Sequence, residues 1–134
     1  MQATLIVTIA LHVLAGVFWA GSTFVLARIG TSQAKQLFRP QMGAATVAVV
    51  TGGTLWFLLH RGPAGMQEHI LGVGAVCALL AAGIQGLGAR ALRQPAAAGA
   101  SGSFAPDNLM PASQRIAAVL LAITAICMAA ARYA

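Results

Sequence analysis

Residues 4–26, TLIVTIALHVLAGVFWAGSTFVL, form an apolar run without a single charged side chain. A helix needs about 20 apolar residues to cross the hydrocarbon core of a bilayer, which is about 30 Å thick. This run meets that length, and three further apolar runs follow it along the chain. The four runs are Thr4–Leu26, Met42–Leu59, His69–Ala91 and Arg115–Ala131.

The composition of the whole chain also favours a membrane location. Of its 134 residues, 59% are hydrophobic and 7% are charged, whereas an ordinary globular domain carries about 25% charged residues. Inside a bilayer the backbone must satisfy its own hydrogen bonds, which leaves helices or a closed barrel. Barrel strands are about 10 residues long and alternate in polarity, a pattern that these runs lack. The sequence therefore predicts an all-α fold, an integral membrane four-helix bundle that forms a single domain over residues 1–134.

The net charge of +6 arises from eight Lys and Arg residues against two acidic residues. In a soluble protein this excess would suggest a nucleic-acid partner. Here the basic residues lie at the ends of apolar runs or between them. We therefore expect them to contact lipid headgroups, and we expect no nucleic acid to bind.

The positions of the basic residues predict the orientation in the membrane. Six belong to the first loop, Ala27–Gln41, to the third loop, Leu92–Gln114, or to their flanks: Arg28, Lys35, Arg39, Arg90, Arg93 and Arg115. Arg61 and Arg132 lie on the other side. The positive-inside rule then places loops one and three in the cytoplasm. Both termini should face outside the cytoplasm, and a bacterial inner membrane is the expected location.

The second and third loops differ in character. The second, His60–Glu68, contains Gly62 and Pro63, which are typical of a tight turn. The centre of the third, Pro95–Pro111, is rich in Ala, Gly, Ser and Pro and is predicted to be a flexible connector. Ser113 is predicted to cap the N-terminus of the fourth helix.

Small residues are frequent in the second and third runs, where they would let helix backbones approach closely. They are Gly52, Gly53, Gly72, Gly74, Ala82, Gly83 and Gly86. We expect these faces to pack inside the bundle or against other membrane subunits or a second copy of the chain. Cys77 and Cys127 lie in apolar runs and are expected to be buried thiols; the alternative is a disulfide or a metal site.

One stripe on the first helix is the main indication of function. Its residues recur at spacings of three and four and share one face of the helix: Thr8, His12, Ala15, Gly16, Trp19 and Thr23. A His in the hydrocarbon layer is costly and normally faces the bundle interior. Two roles fit His12: a structural hydrogen bond to a hydroxyl or carbonyl on another helix, or ligation of haem iron or a metal ion.

The segment from His12 to Gly21, HVLAGVFWAG, resembles the first-helix pattern of two related groups of membrane proteins. One is the copper-resistance D family, and the other is the family of small, multi-helix membrane protoporphyrinogen oxidases. Both tend to show a His followed seven residues later by Trp and then by small residues. The resemblance implies a b-type haem bound at the position of His12, with Trp19 at the matching Trp. Haem b is thus the cofactor that we expect, if any is bound.

The other two histidines, His60 and His69, flank the tight second loop. Both are expected at the outer surface, either as solvated interfacial side chains or as ligands of a surface metal with Glu68 alongside. A haem shared by His12 and His60 is disfavoured, because His12 lies roughly 12 Å below the outer end of its helix at 1.5 Å per residue.

No catalytic constellation is visible, since the only carboxylates, Glu68 and Asp107, both fall in predicted loops. Two functions remain as hypotheses. In the first, His12 binds haem b or a metal and the protein assists membrane redox or metal handling. In the alternative, the chain is a structural or accessory subunit of a larger membrane complex with no cofactor of its own. A transporter ranks last because intramembrane charges are absent.

Overall fold

The computed structural model describes residues 2–29, 31–60, 62, 65–93 and 106–134 of the chain. Four long helices make up almost all of this part: α1 (Gln2–Ile29), α2 (Thr31–Leu59), α3 (Met66–Arg93) and α4 (Pro106–Ala131). Each contains a segment long and apolar enough to cross a membrane. The all-α four-helix membrane bundle that the sequence predicts is therefore confirmed.

The helices begin earlier than the apolar runs suggest. The first loop was predicted to reach Gln41, but α2 already begins at Thr31 and contains Pro40. Likewise α4 begins at Pro106, so the prediction that Ser113 caps the helix is wrong: Ser113 is buried within α4. Hydropathy marks the part of a helix in the hydrocarbon core, whereas polar residues can continue the same helix into the interface.

The two remaining loops are described only in part. The turn between α2 and α3 is shorter than the predicted His60–Glu68, because Leu59 ends one helix and Met66 begins the next. Glu68, predicted to lie in this loop, is therefore in the first turn of α3. Most of the predicted flexible connector, 95–105, lies outside the described residues. Its last part, from Pro106 onwards, is helical and so does not match that prediction. Proline suits the first position of a helix, where no backbone N–H is needed.

The packing order of the helices leaves one side of the bundle loose. α1 packs against both α2 and α4, and α3 packs extensively along α4, while α2 and α3 touch at only a few positions. Small side chains dominate the buried contacts, with Ala45, Ala48, Ala81 and Ala117 gathered around Trp19. Large apolar side chains face outwards, as expected when lipid rather than water surrounds the bundle.

The largest fully buried side chains are polar, and each helix contributes one. They are Thr23 from α1, Gln41 from α2, Gln85 from α3 and Gln114 from α4. We call these four residues the glutamine layer. In a bilayer such side chains stabilise helix association through hydrogen bonds across the bundle.

The glutamine layer satisfies its own hydrogen-bonding groups. The Thr23 hydroxyl accepts one bond from Gln41 Nε2 at 2.8 Å and another from Gln85 Nε2 at 2.9 Å. The same two amides donate to Gln114 Oε1, each at 3.1 Å. Thr23 in turn donates to the backbone carbonyl of Trp19 at 2.7 Å. Both acceptor positions of the hydroxyl are thus occupied, and all four helices are joined at one level.

Replacement of Thr23 by Val keeps the side-chain shape but removes one of the two acceptors of the Gln41 amide and one of the two acceptors of the Gln85 amide. We expect Thr23→Val to lower the free energy of unfolding by about 1–3 kcal/mol. Thr46→Val is the matched control, because Thr46 is exposed and its hydroxyl bonds only to Met42 O of its own helix; it should change stability by less than about 0.5 kcal/mol. Reversible unfolding in mixed detergent micelles measures both. Equal effects of the two variants would contradict a stabilising role for the layer.

Candidate functional site

His12 lies on the inward stripe of α1 and contacts α2. Its Nδ1 lies 2.9 Å from the backbone carbonyl oxygen of Ala48 and 3.1 Å from Thr51 Oγ1. A carbonyl oxygen only accepts, so Nδ1 must carry a proton and donate it to α2. Further along the same stripe, Trp19 and Thr23 are buried. The stripe therefore faces the bundle interior, as the sequence predicts.

Both hydrogen bonds of His12 run from Nδ1, and Nε2, the second ring nitrogen, has none within the described part of the chain. In a neutral imidazole protonated at Nδ1, Nε2 carries a lone pair. Histidines that bind a metal commonly have this arrangement, in which the other nitrogen donates to a carbonyl and fixes the ring. The bond to Ala48 is equally the bond that a purely structural His12 would make, so this contact alone fits both predicted roles.

Gly52 fixes the distance between α2 and the imidazole. A Cβ atom at this position would lie 2.9 Å from His12 Cε1 and 3.4 Å from Nδ1. Gly74 of α3 is similarly close to α4, since a Cβ there would lie 3.1 Å from Cys127 Cβ. Gly53 and Gly86, in contrast, have nothing within 4 Å of such an atom. Some of the predicted small-residue faces thus pack inside the bundle, and others are open.

A cavity of about 500 Å³ lies beside His12, and all four helices contribute to its wall. Its size falls within the range of about 300–1,000 Å³ that is typical of ligand sites. Apart from His12, Trp19 and Thr124, the lining is apolar or glycine. The lining includes His12, Gly16 and Trp19 of α1, Gly52 of α2 and Met128 of α4.

Trp19 connects this cavity to the glutamine layer. Its indole Nε1 donates to Gln85 Oε1 at 2.8 Å, and the ring borders the cavity. Because that donor is already used, Trp19 can offer a ligand only its ring surface. The structure thus brings the two predicted cofactor residues, His12 and Trp19, to one cavity.

His60 and His69 have local partners at the end of the bundle that holds the α2–α3 turn. The His60 ring stacks on Trp56, with centroids 4.9 Å apart, and its buried Nδ1 has no hydrogen-bond partner among the described residues. His69 Nδ1 contacts Gly65 O at 2.6 Å, and Glu68 Oε2 accepts from Gly65 N at 2.8 Å. His69 and Glu68 thus bond to the residue just before α3.

The predicted metal site at His60 and His69 stays a prediction. Within the ranges that the structure describes, no three His, Cys, Asp or Glu side chains are grouped so as to hold a metal ion. Cys77 and Cys127 are both free thiols and partly buried.

The three glutamines of the layer were missed by sequence reasoning. Gln41 and Gln114 fall in predicted loops, because they lie at the edges of apolar runs. Gln85 lies within the third apolar run, and no role was predicted for it. A signal was present: a glutamine within a membrane span needs a hydrogen-bond partner on another helix.

Comparisons of this chain with protein-family models, with curated proteins and with solved structures find no match.

The close packing of Gly52 on His12 can be tested with two neighbouring glycines. The ring cannot move away from a new Cβ without losing its bond to Ala48, so Gly52→Ala should lower the free energy of unfolding by about 1–3 kcal/mol. Gly53→Ala is the control, with open space at the same depth; it should be neutral or raise stability by about 0.5–1 kcal/mol. Unfolding in mixed micelles measures both. A Gly52→Ala variant as stable as Gly53→Ala would contradict this placement of the ring.

Proposed function

We propose that this protein binds haem b through His12, in the cavity lined by all four helices, and assists membrane redox chemistry or metal handling. The observation that supports the proposal is the hydrogen bonding of the two nitrogens of the His12 imidazole. Nδ1 is held by the Ala48 carbonyl, and Nε2 has no hydrogen bond beside an apolar cavity. The resemblance of HVLAGVFWAG to the first helix of the small membrane protoporphyrinogen oxidases, in which the matching His is thought to bind a b-type haem, supports the same residue.

The residues around the cavity suit a flat, apolar group. Gly16 leaves room beside the imidazole, since a Cβ there would meet nothing within 4 Å, and the Trp19 ring offers an aromatic surface. Met128 of α4 lines the same cavity and carries a thioether, which pairs with His as an axial ligand in some haem proteins. We propose that His12 and Met128 are the residues that would hold the haem. When bound, haem would supply one-electron transfer, while these side chains would hold it and exclude water.

The alternative function is a structural or accessory subunit without a cofactor. One observation favours it: the hydrogen bond from His12 to the Ala48 carbonyl joins α1 to α2. This structural role alone would account for a histidine at this position. In that case the apolar cavity would be filled by lipid or by a side chain of a partner subunit. The two functions differ in whether the purified protein carries a chromophore that depends on His12.

We also propose a bacterial inner membrane as the location, with both termini outside the cytoplasm. Four arginines with described side chains support this orientation, because all lie near the end of the bundle opposite His12: Arg28, Arg39, Arg90 and Arg115. The positive-inside rule assigns that end to the cytoplasm. The His12 cavity would then lie in the outer half of the bilayer.

The haem proposal is tested by spectra of the detergent-purified protein, produced with haem available. We expect a reduced-minus-oxidised band of b-type haem, lost in His12→Ala and kept in the control His69→Ala, whose imidazole bonds to Gly65 O. Met128→Leu should retain haem but alter the spectrum and lower the reduction potential, because a thioether ligand raises it. Full haem retention by His12→Ala would exclude the ligand role. A folded wild type without any haem would favour the accessory subunit.

The orientation is tested by labelling a single cysteine placed at Ser101 in a Cys77→Ala, Cys127→Ala background. We expect a membrane-impermeant maleimide to label this cysteine only after the membrane is opened, because the third loop should be cytoplasmic. A cysteine added after Ala134 serves as the control and should be labelled in intact cells. Labelling of the Ser101 position from outside would reverse the orientation.

A further inference from the structure

A second cavity, of about 610 Å³, lies in an open groove between α1 and α4. We call it the arginine groove; its lining residues are Ala27, Arg28, Arg115, Ala118 and Val119. Arg28 is in the last turn of α1. It lies about 24 Å along the helix axis from His12 at 1.5 Å per residue, so the groove is separate from the His12 cavity.

The two guanidinium groups that line the groove have no partner among the described residues. Neither Arg28 nor Arg115 forms a salt bridge or a hydrogen bond there. The one acidic side chain that the structure describes, Glu68, lies at the opposite end of the bundle, at the start of α3. Two like charges on one groove repel each other unless an anion lies between them.

Because Arg115 lies within a candidate membrane span, a nearby anion would stabilise its charge. Arg115 lies four residues inside the candidate span Pro111–Ala131, which is about 6 Å along the helix. A cation at the membrane boundary, unlike one in water, loses part of its hydration and needs a compensating anion. The neighbouring residue, Gln114, points into the glutamine layer, so Arg115 is held on the outer face of α4.

The walls of the groove indicate which anion fits. Ala27, Ala118 and Val119 are apolar, and Val119 is largely exposed to the surrounding lipid. A free anion would gain nothing from these walls. A phospholipid would place its phosphate on the two arginines and an acyl chain along Val119. Arginine binds phosphate oxygens through two parallel hydrogen bonds, a geometry that lysine cannot reproduce.

We propose that the arginine groove is a specific binding site for the phosphate headgroup of an anionic phospholipid. Arg28 and Arg115 clamp the phosphodiester from two helices, and the lipid thereby joins α1 to α4 at this end of the bundle. This site is independent of whether His12 binds haem.

The test uses the delipidated full-length protein in a neutral detergent, with phosphatidylglycerol as the probe and phosphatidylcholine as the neutral comparison. Native mass spectrometry or a lipid titration measures binding. We expect one tightly bound phosphatidylglycerol in the wild type and at least about tenfold weaker binding in the double variant Arg28→Gln, Arg115→Gln, because two charged hydrogen-bond donors are lost. The matched control is Arg39→Gln, Arg90→Gln, which removes the same charge from exposed positions at the same end and outside the groove. It should bind phosphatidylglycerol as the wild type does.

A second variant, Val119→Trp, keeps every charge but fills the groove, and it too should bind phosphatidylglycerol at least about tenfold more weakly. Circular dichroism confirms that each variant is helical. Equal loss in the two double variants would mean general electrostatic attraction and would overturn the proposal. Equal affinity for phosphatidylcholine, displacement by equimolar inorganic phosphate, or unchanged binding in Val119→Trp would overturn it as well.

Discussion

The hydrogen bonds of the glutamine layer set the position of every helix in this bundle. Lipid is as apolar as leucine, so the hydrophobic effect does not drive membrane helices together. Packing and hydrogen bonds across the bundle hold them instead. Gln41 and Gln85 both donate to Thr23 and to Gln114, and each bond fixes both the depth and the rotation of the helix that supplies it. A shift of any helix by one residue would leave a buried amide without a partner, which is costly in a bilayer.

The layer also explains why the other half of the bundle can hold a cavity. With the helices joined at one level, α2 and α3 need not touch along their remaining length, and they do so at only a few positions. The space is lined by apolar residues and glycines and bordered by Trp19, whose indole is anchored to Gln85 of the layer. His12 therefore lies beside this space with its ring oriented by the Ala48 carbonyl.

The number of helices, their membrane character and the inward stripe follow from the sequence, because run length and helical spacing determine them. The early starts of α2 and α4 do not, since polar residues such as Gln41 and Gln114 interrupt hydropathy without interrupting a helix. The hydrogen-bond partner of His12 is also not visible in the sequence. The residue that orients His12 is Ala48, which acts through its backbone carbonyl, and a main-chain acceptor leaves no signature in sequence. Likewise, nothing local reveals that Arg28 and Arg115 share one groove.

The protonation of the His12 ring is the most direct test of the site described here, because a ligand role requires a free lone pair on Nε2. Nitrogen NMR of histidine-labelled, haem-free protein reports this directly, with His60 and His69 replaced so that one imidazole remains. We expect a proton on Nδ1 and an unprotonated Nε2, since Nδ1 donates to the Ala48 carbonyl. A ring protonated on Nε2 instead, or one exchanging rapidly between the two forms, would contradict both the hydrogen bond to α2 and the proposed ligand.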